Sequence, residues 1–323
     1  MAIDQIKKLI GPDMEAMDEV IRVKLHSDVV LVRQVGEYII NSGGKRLRPA
    51  LVILSSGAFS YTGKHHHNLA AIIEFIHTAT LLHDDVVDAS ELRRSKATAN
   101  ALFGNATSVL VGDFLYSRSF QMMVEVNNMR IMQVLADATN TIAEGEVLQL
   151  INCRDPNVNE ENYLQVIRYK TAKLFEAATR LGAILSSVSP EEEESMASYG
   201  MHLGTAFQIT DDMLDYSGDY HDTGKNLGDD LAEGKPTLPL IYAMENGSKE
   251  QAEIVSKAIQ NGGGEGALES VLKVIHETGA LDYTRKKAEA ESCMAIEAIS
   301  SLPDSQYKEC LLQLADFAVS RNH

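Results

Sequence analysis

Apolar residues recur at three- and four-residue intervals along almost the whole chain, without the sustained two-residue alternation of a half-buried strand. The pattern is clear in DVVLVRQVGEYII, NLAAIIEFIHTATLLHDDVVD, RIMQVLADATNTIAEGEVLQLI and ENYLQVIRYKTAKLFEAATRLGAIL. Helix-stop chemistry separates such stretches at Asn41-Ser42-Gly43-Gly44, Asp155-Pro156, Ser189-Pro190, Asn246-Gly247 and Asn261 to Gly264. Asn246-Gly247 could close a hairpin, but its flanks do not alternate, so it reads as a helix end. From Ala70 to Leu82 the chain is apolar nearly all round, which a helix tolerates only when buried on most sides. These patterns predict an all-α fold over residues 1–323, a single large helical bundle with no convincing strand. Residues 217–236 are polar and carry Gly218, Gly224, Gly228 and Gly234. A loop this long inside a compact domain usually serves function, so this one is expected to be a mobile active-site loop.

Charge narrows the ligand classes. Lys and Arg total 29 against 46 Asp and Glu, a formal charge of -17. Wholesale nucleic-acid or anionic-membrane binding needs a basic surface, and this chain lacks the composition for one. A phosphate-bearing ligand must instead be gripped by a local cationic cluster or by metal ions. Apolar residues make up 45% of the 323, enough for a substantial core. The three cysteines, Cys153, Cys293 and Cys310, have neither CxxC nor zinc spacing, which fits a reducing compartment. With no long uncharged apolar run, a soluble cytoplasmic protein is expected.

One acidic pattern occurs twice, as Asp84-Asp85-Val-Val-Asp88 and Asp211-Asp212-Met-Leu-Asp215. On a helix, positions i and i+4 share a face, so Asp84 pairs with Asp88 and Asp211 with Asp215. Adjacent aspartates are ordinarily a solvated face or a cap. Here each cluster follows an apolar helix, where burying carboxylates is costly unless they are paired or metal-bound. Accepting like-charge repulsion twice in one pattern argues for an oxygen-loving divalent cation. Mg²⁺ fits, because it takes one or two carboxylates and completes its octahedron with water and phosphate oxygens. The sequence suggests no thiolates or clustered imidazoles for zinc or copper. A di-iron bundle would want two Glu-x-x-His pairs, and Glu74-Phe-Ile-His77 occurs once.

Cations accompany the acids. Gly43-Gly44-Lys45-Arg46-Leu47-Arg48-Pro49 is a glycine turn opening a helix, a setting that favours anions, with Arg forks able to grip phosphate. Arg93, Arg94 and Lys96 follow the first cluster; Arg168, Lys170 with Thr171, Lys225 and Lys235 lie further on. Two substrates that each carry a diphosphate would use both sets.

LLHDDVVDASELRRSKATAN and FQITDDMLDY resemble the two aspartate-rich motifs of the trans (all-E) isoprenyl diphosphate synthases. GGKRLRP, KTAKLFEAA and GKNLGDDLAEGKPTLPL complete that family's set in order over nearly the whole chain. AEGEVLQL and FGNATSVLVGDFLYSRSFQMM are most similar to the bacterial octaprenyl diphosphate synthases. The resemblance implies a homodimer with a central cavity, using two or three Mg²⁺ ions per site. It implies isopentenyl diphosphate and an allylic diphosphate such as farnesyl diphosphate as substrates, and octaprenyl diphosphate for a quinone side chain as product. Lys45, Arg48, His77 and Arg94 resemble the isopentenyl diphosphate site. Arg93, Lys170, Thr171, Gln208, Lys225 and Lys235 resemble contacts to the allylic diphosphate. Asp84 and Asp88 resemble the first metal ligands, and Asp211 with Asp215 those of the further metal. The implied catalytic set is Asp84, Asp85, Asp88, Arg93, Lys170, Asp211 and Asp212. Asp85 sits about 100° round the helix from Asp84, better placed to support than to ligate.

Product length is expected to depend on Ala79 and Thr80, about 6–7.5 Å before Asp84 along the helix axis. Short-chain members place bulky rings there, whereas this chain does not. Small residues Ser108, Gly112 and Ser119, followed by Phe120 and Met123, read either as ordinary packing or as a tunnel wall with a deeper floor. A terpene cyclase would not need GGKRLRP, and the non-catalytic subunit of a heteromeric synthase tolerates eroded motifs. Both clusters here are intact. An insoluble polyprenyl product would call for transient membrane contact at release.

Overall fold

The structure, a computed structural model, describes residues 2–93, 96–217, 227–264 and 266–320. Its helices begin with α1 (Ala2–Lys24), α2 (Val30–Ile40), α3 (Leu47–Ala58) and α4 (His65–Val87). Next come α5 (Ala99–Phe103), α6 (Asn105–Val126), α7 (Met129–Asn152) and α8 (Glu160–Ile167). A π-helical turn (Arg168–Ala172) leads into α9 (Lys173–Leu185), followed by α10 (Pro190–Ser217) and the short α11 (Asp229–Glu233). The remainder is α12 (Leu238–Asn246), α13 (Lys249–Asn261), α14 (Ala267–Thr278), α15 (Ala280–Ala298) and α16 (Gln306–Ser320). The protein is all-α, as the periodicity predicts. One departure is an antiparallel pair, β1 (Leu92–Arg93) with β2 (Lys96–Ala97), in which Leu92 faces Ala97. Strands of two residues are too short to carry any alternation.

The helix ends follow the stop chemistry read from the sequence. Ser189 and Glu192 exchange side-chain-to-backbone bonds at the start of α10, and Ser248 and Gln251 form a capping box for α13. Asn246-Gly247 ends α12 rather than closing a hairpin.

The chain packs into two compact units, residues 1–139, 174–197 and 301–313, and residues 140–173, 198–300 and 314–323. In the first, α4 packs chiefly on α6, α3 and α1. Leu69, Ile72, Ile73, Phe75, Ile76, Ala79 and Leu82 are all buried, so the all-round apolar stretch becomes an enclosed helix. Small residues bring α6 close to α4: Ser108 Oγ donates to the Leu82 carbonyl at 2.9 Å, and a Cβ on Gly112 would lie 2.3 Å from His83 Nε2. In the second unit α12 packs on α13, α14 and α15 and touches α8. Its apolar interior includes Leu231, Leu240, Val255, Ile259, Val271 and Ile275. A second patch joins Tyr163, Ile167, Ile209, Leu238 and Ile241. Among the described residues, no helix is long and apolar enough to cross a membrane.

Candidate active site

The first aspartate cluster lies at the end of α4. Asp88 follows its last turn, and the Asp88 N–H donates to the Asp84 carbonyl at 2.8 Å. Asp84 and Asp88 are partly exposed, whereas Asp85 points inward and is fully buried. There Asp85 Oδ1 accepts from Arg93 Nε at 2.9 Å and pairs with Arg93 Nη2 at 2.7 Å. Asp85 Oδ2 is buried with no hydrogen-bond partner. A buried carboxylate needs such a partner, and Arg93, on β1, is fixed by it in return. Asn100 ties the following turn by donating to the carbonyls of Asp85 and Ser90, each at 3.1 Å.

The glycine turn lies in the same unit. Gly43 and Gly44 hold φ of 93° and 138°, values that side chains rarely permit, so these glycines let the backbone turn into α3. Arg46 is held by Asp18, while Lys45 is exposed. Arg48, in the first turn of α3, stacks its guanidinium 4.5 Å from the Phe175 ring and lies 3.3 Å from His77 Nε2. Lys45, Arg48 and His77 therefore come from the turn, α3 and α4. Arg94 lies outside the described residues, as does Lys225 with residues 218–226, the central part of the expected loop.

The second cluster is organised by one hydrogen-bonded chain. Thr171 Oγ1 donates to Gln208 Oε1 at 3.0 Å, and Gln208 Nε2 donates to Asp212 Oδ1 at 2.7 Å. Tyr163 Oη donates to Asp212 Oδ2 at 2.6 Å. Burial dominates at Asp212: with the repulsion of Asp211 and Asp215 it pushes the carboxyl up to about 7, against both hydrogen bonds. Burial, then the Asp212 charge, likewise holds the Tyr163 phenol well above its ordinary range. Asp211 and Asp215 are partly exposed. Asp215 also caps α11, its two oxygens accepting from the N–H groups of Asp229 at 3.2 Å and Asp230 at 3.1 Å.

Lys170 and Thr171 sit on the π-helical turn, an irregularity common at functional sites. Lys170 Nζ pairs with Glu146 Oε2 at 2.5 Å and donates to Gln149 Oε1 at 2.7 Å. Gly145 makes this approach possible, since a Cβ there would lie 2.6 Å from the Lys170 backbone nitrogen. Lys235, just past α11, is ion-paired with Glu233. Of the expected chain-length residues, Ala79 and Met123 are buried, while Thr80 and Phe120 are half-buried.

The sequence reading assigned no role to Tyr163, Glu146, Gln149 or Gly145. AEGEVLQL held a usable signal for three of these, since Glu146 and Gln149 share a helix face next to a glycine. One expectation is corrected. His66 and His67, at the start of α4, converge with Asp13 of α1, so imidazoles do cluster. Adjacent histidines that meet a carboxylate from another helix carry no motif spacing in the sequence.

Residues 29–275 match the model of the polyprenyl synthetase family. The chain is 52% identical over 322 residues to the octaprenyl diphosphate synthase of Escherichia coli (strain K12), covering all of both chains. It is similar in structure to a polyprenyl synthase from Caulobacter crescentus complexed with calcium and isoprenyl diphosphate, at TM-score 0.95 and 43% identity. That match covers 99% of this chain and 98% of the other. A decaprenyl diphosphate synthase from Rhodobacter capsulatus matches with TM-score 0.95 and 42% identity over 99% of each chain.

Proposed function

The chain belongs to the polyprenyl synthetase family, and from that premise we propose that it extends an allylic diphosphate with isopentenyl diphosphate to octaprenyl diphosphate. It is a prenyltransferase of the trans-polyprenyl class. The full-length identity to the octaprenyl enzyme of Escherichia coli supports that product length. The observation that carries the site assignment is shared by both clusters. Each buries its middle aspartate against protein donors, Arg93 at Asp85 and Tyr163 with Gln208 at Asp212, and leaves the flanking pair partly exposed.

The flanking pairs fit a hard cation, being carboxylates of partly exposed residues with no soft donor among them. Asp84, Asp88 and Asp211 would hold Mg²⁺, with Asp215, whose oxygens also cap α11, as a further ligand. When bound, Mg²⁺ neutralises the negative charge that grows on a departing diphosphate. The proposed cationic contacts to that diphosphate are Arg93, Lys170, Lys225 and Lys235. Asp85 fixes the direction of Arg93, and Glu146 with Gln149 that of Lys170. Thr171 and Gln208 extend this frame to Asp212. Lys45, Arg48, His77 and Arg94 hold isopentenyl diphosphate. The allylic C–O bond breaks, the isopentenyl double bond attacks the resulting cation, and a proton leaves. Water has to be kept from the reaction, since it would otherwise quench the cation.

The protein works as a homodimer, supported by the large apolar side chains of Leu110 and Val124 exposed on α6. Light scattering on the purified protein tests that assembly, and a monomeric mass refutes it. The function is tested by incubating the protein alone with Mg²⁺, isopentenyl diphosphate and farnesyl diphosphate. Octaprenyl diphosphate is expected; a cyclised hydrocarbon, or turnover only with a second polypeptide, rejects the reading.

A further inference from the structure

Asp13, His66 and His67 lie apart from the residues assigned to diphosphate binding. His66 and His67 open α4, and their rings are 3.9 Å apart. His66 Nε2 is 3.1 Å from Asp13 Oδ1, and His67 Nε2 is 2.9 Å from the same oxygen. Asp13 follows Pro12 within α1, so two different helices supply the three groups. His66 is buried and is packed edge-on by the Tyr61 ring at 5.5 Å, whereas His67 and Asp13 are partly exposed. We propose that Asp13, His66 and His67 form a binding site for a divalent cation of the Zn²⁺ class, which ties α1 to the start of α4.

Donor chemistry selects the cation. Two imidazole nitrogens and one carboxylate suit Zn²⁺ and its neighbours and are poorly matched to Mg²⁺ or Ca²⁺, which take oxygen ligands. Three protein ligands leave a fourth position for water, and the exposed side of His67 and Asp13 gives it access. At metal–ligand distances near 2.0–2.2 Å, tetrahedral ligand atoms stand about 3.3 Å apart. The observed separations of 2.9 and 3.1 Å need only a small opening to reach that. Protonation does not oppose binding at neutral pH. Burial lowers the pKa of His66, with Asp13 opposing, and leaves the ring neutral. Burial would raise the Asp13 carboxyl, but the hydrogen bonds from both imidazoles hold it below its ordinary value. On binding, each neutral imidazole would carry its proton on Nδ1 instead of Nε2, so that both Nε2 lone pairs and Asp13 Oδ1 face the cation.

The test uses the full chain, stripped of metal and free of diphosphate, titrated with Zn²⁺ alone at neutral pH by calorimetry. Expected is one Zn²⁺ per chain in the micromolar range or tighter, with a rise in the thermal midpoint. His67→Gln and Asp13→Asn, both at partly exposed positions, should each weaken uptake at least about tenfold and abolish the rise. The double variant Asp84→Asn/Asp88→Asn should titrate like the unsubstituted chain. Zn²⁺ uptake unchanged in both His67→Gln and Asp13→Asn overturns the proposal, as does loss only in the aspartate double variant or no uptake at all. Far-UV circular dichroism identifies a variant that fails to fold, and the other then decides.

Discussion

Asp212 is a carboxyl whose surroundings prefer it protonated, because burial outweighs the hydrogen bonds from Tyr163 and Gln208. Its folded value of about 7 lies above the ordinary aspartate value of 3.8, so between those limits the native state binds the extra proton. Its contribution therefore favours the folded state below about pH 4 and is lost as pH rises towards 7. In metal-free protein, Asp212→Asn should remove that slope. Urea midpoints from pH 5 to 8 should fall with pH more steeply for the unsubstituted chain, and parallel curves would refute the assignment. Asp85 is the matching residue in the first cluster, and Asp85→Ala frees Arg93. We expect kcat to fall by roughly 10²-fold with helix content intact. That each middle aspartate leaves its neighbours' face was legible from the 100° step of a helix. That their partners are Arg93 and Tyr163 was not, because tertiary packing chooses them.

At the level of elements, α7 and the π-helical turn depend on a position with no side chain. Gly145→Ala places a Cβ where the Lys170 backbone lies, a contact of 2.6 Å that must relax by moving backbone. The expected cost is about 1–3 kcal/mol of stability, with a raised KM for the allylic diphosphate while that for isopentenyl diphosphate holds. Initial-rate kinetics on both substrates test this, and a uniform loss would point to general unfolding. On α4, Ala79→Tyr fills buried space beside α6 and should shorten the product to C15–C20. Unchanged long products would place the growing chain elsewhere. Helix ends were readable because caps and stops are local chemistry. The π turn was not: RYKTAK reads as continuous helix, and the widened register lies where the chain approaches Gly145 of another helix. β1 and β2 were not legible either, because two residues carry no repeating pattern.

Over the whole molecule, the order of the motifs carried the family and the activity. The division into two units left no trace in composition, because its boundaries run through α7, α9, α10 and α16, and the one at residue 300 alone falls between helices. Each unit has its own apolar interior, so folding does not hang on the acidic clusters. Chelation should therefore abolish prenyl transfer and leave the helical circular dichroism of the protein nearly unchanged, with activity returning on addition of Mg²⁺. Collapse of the helical signal with chelator would show that metal is needed for folding as well as chemistry.

Asp215 faces rival claims on its two oxygens. In this structure both satisfy the opening amides of α11, and a cation arriving at the second cluster would compete for them. Catalytic loading and the order of the chain just before Lys235 would then be linked through one side chain. Amide exchange at Asp229 and Asp230 should quicken when Mg²⁺ and a diphosphate are added together; slower exchange would mean that the helix keeps its hold.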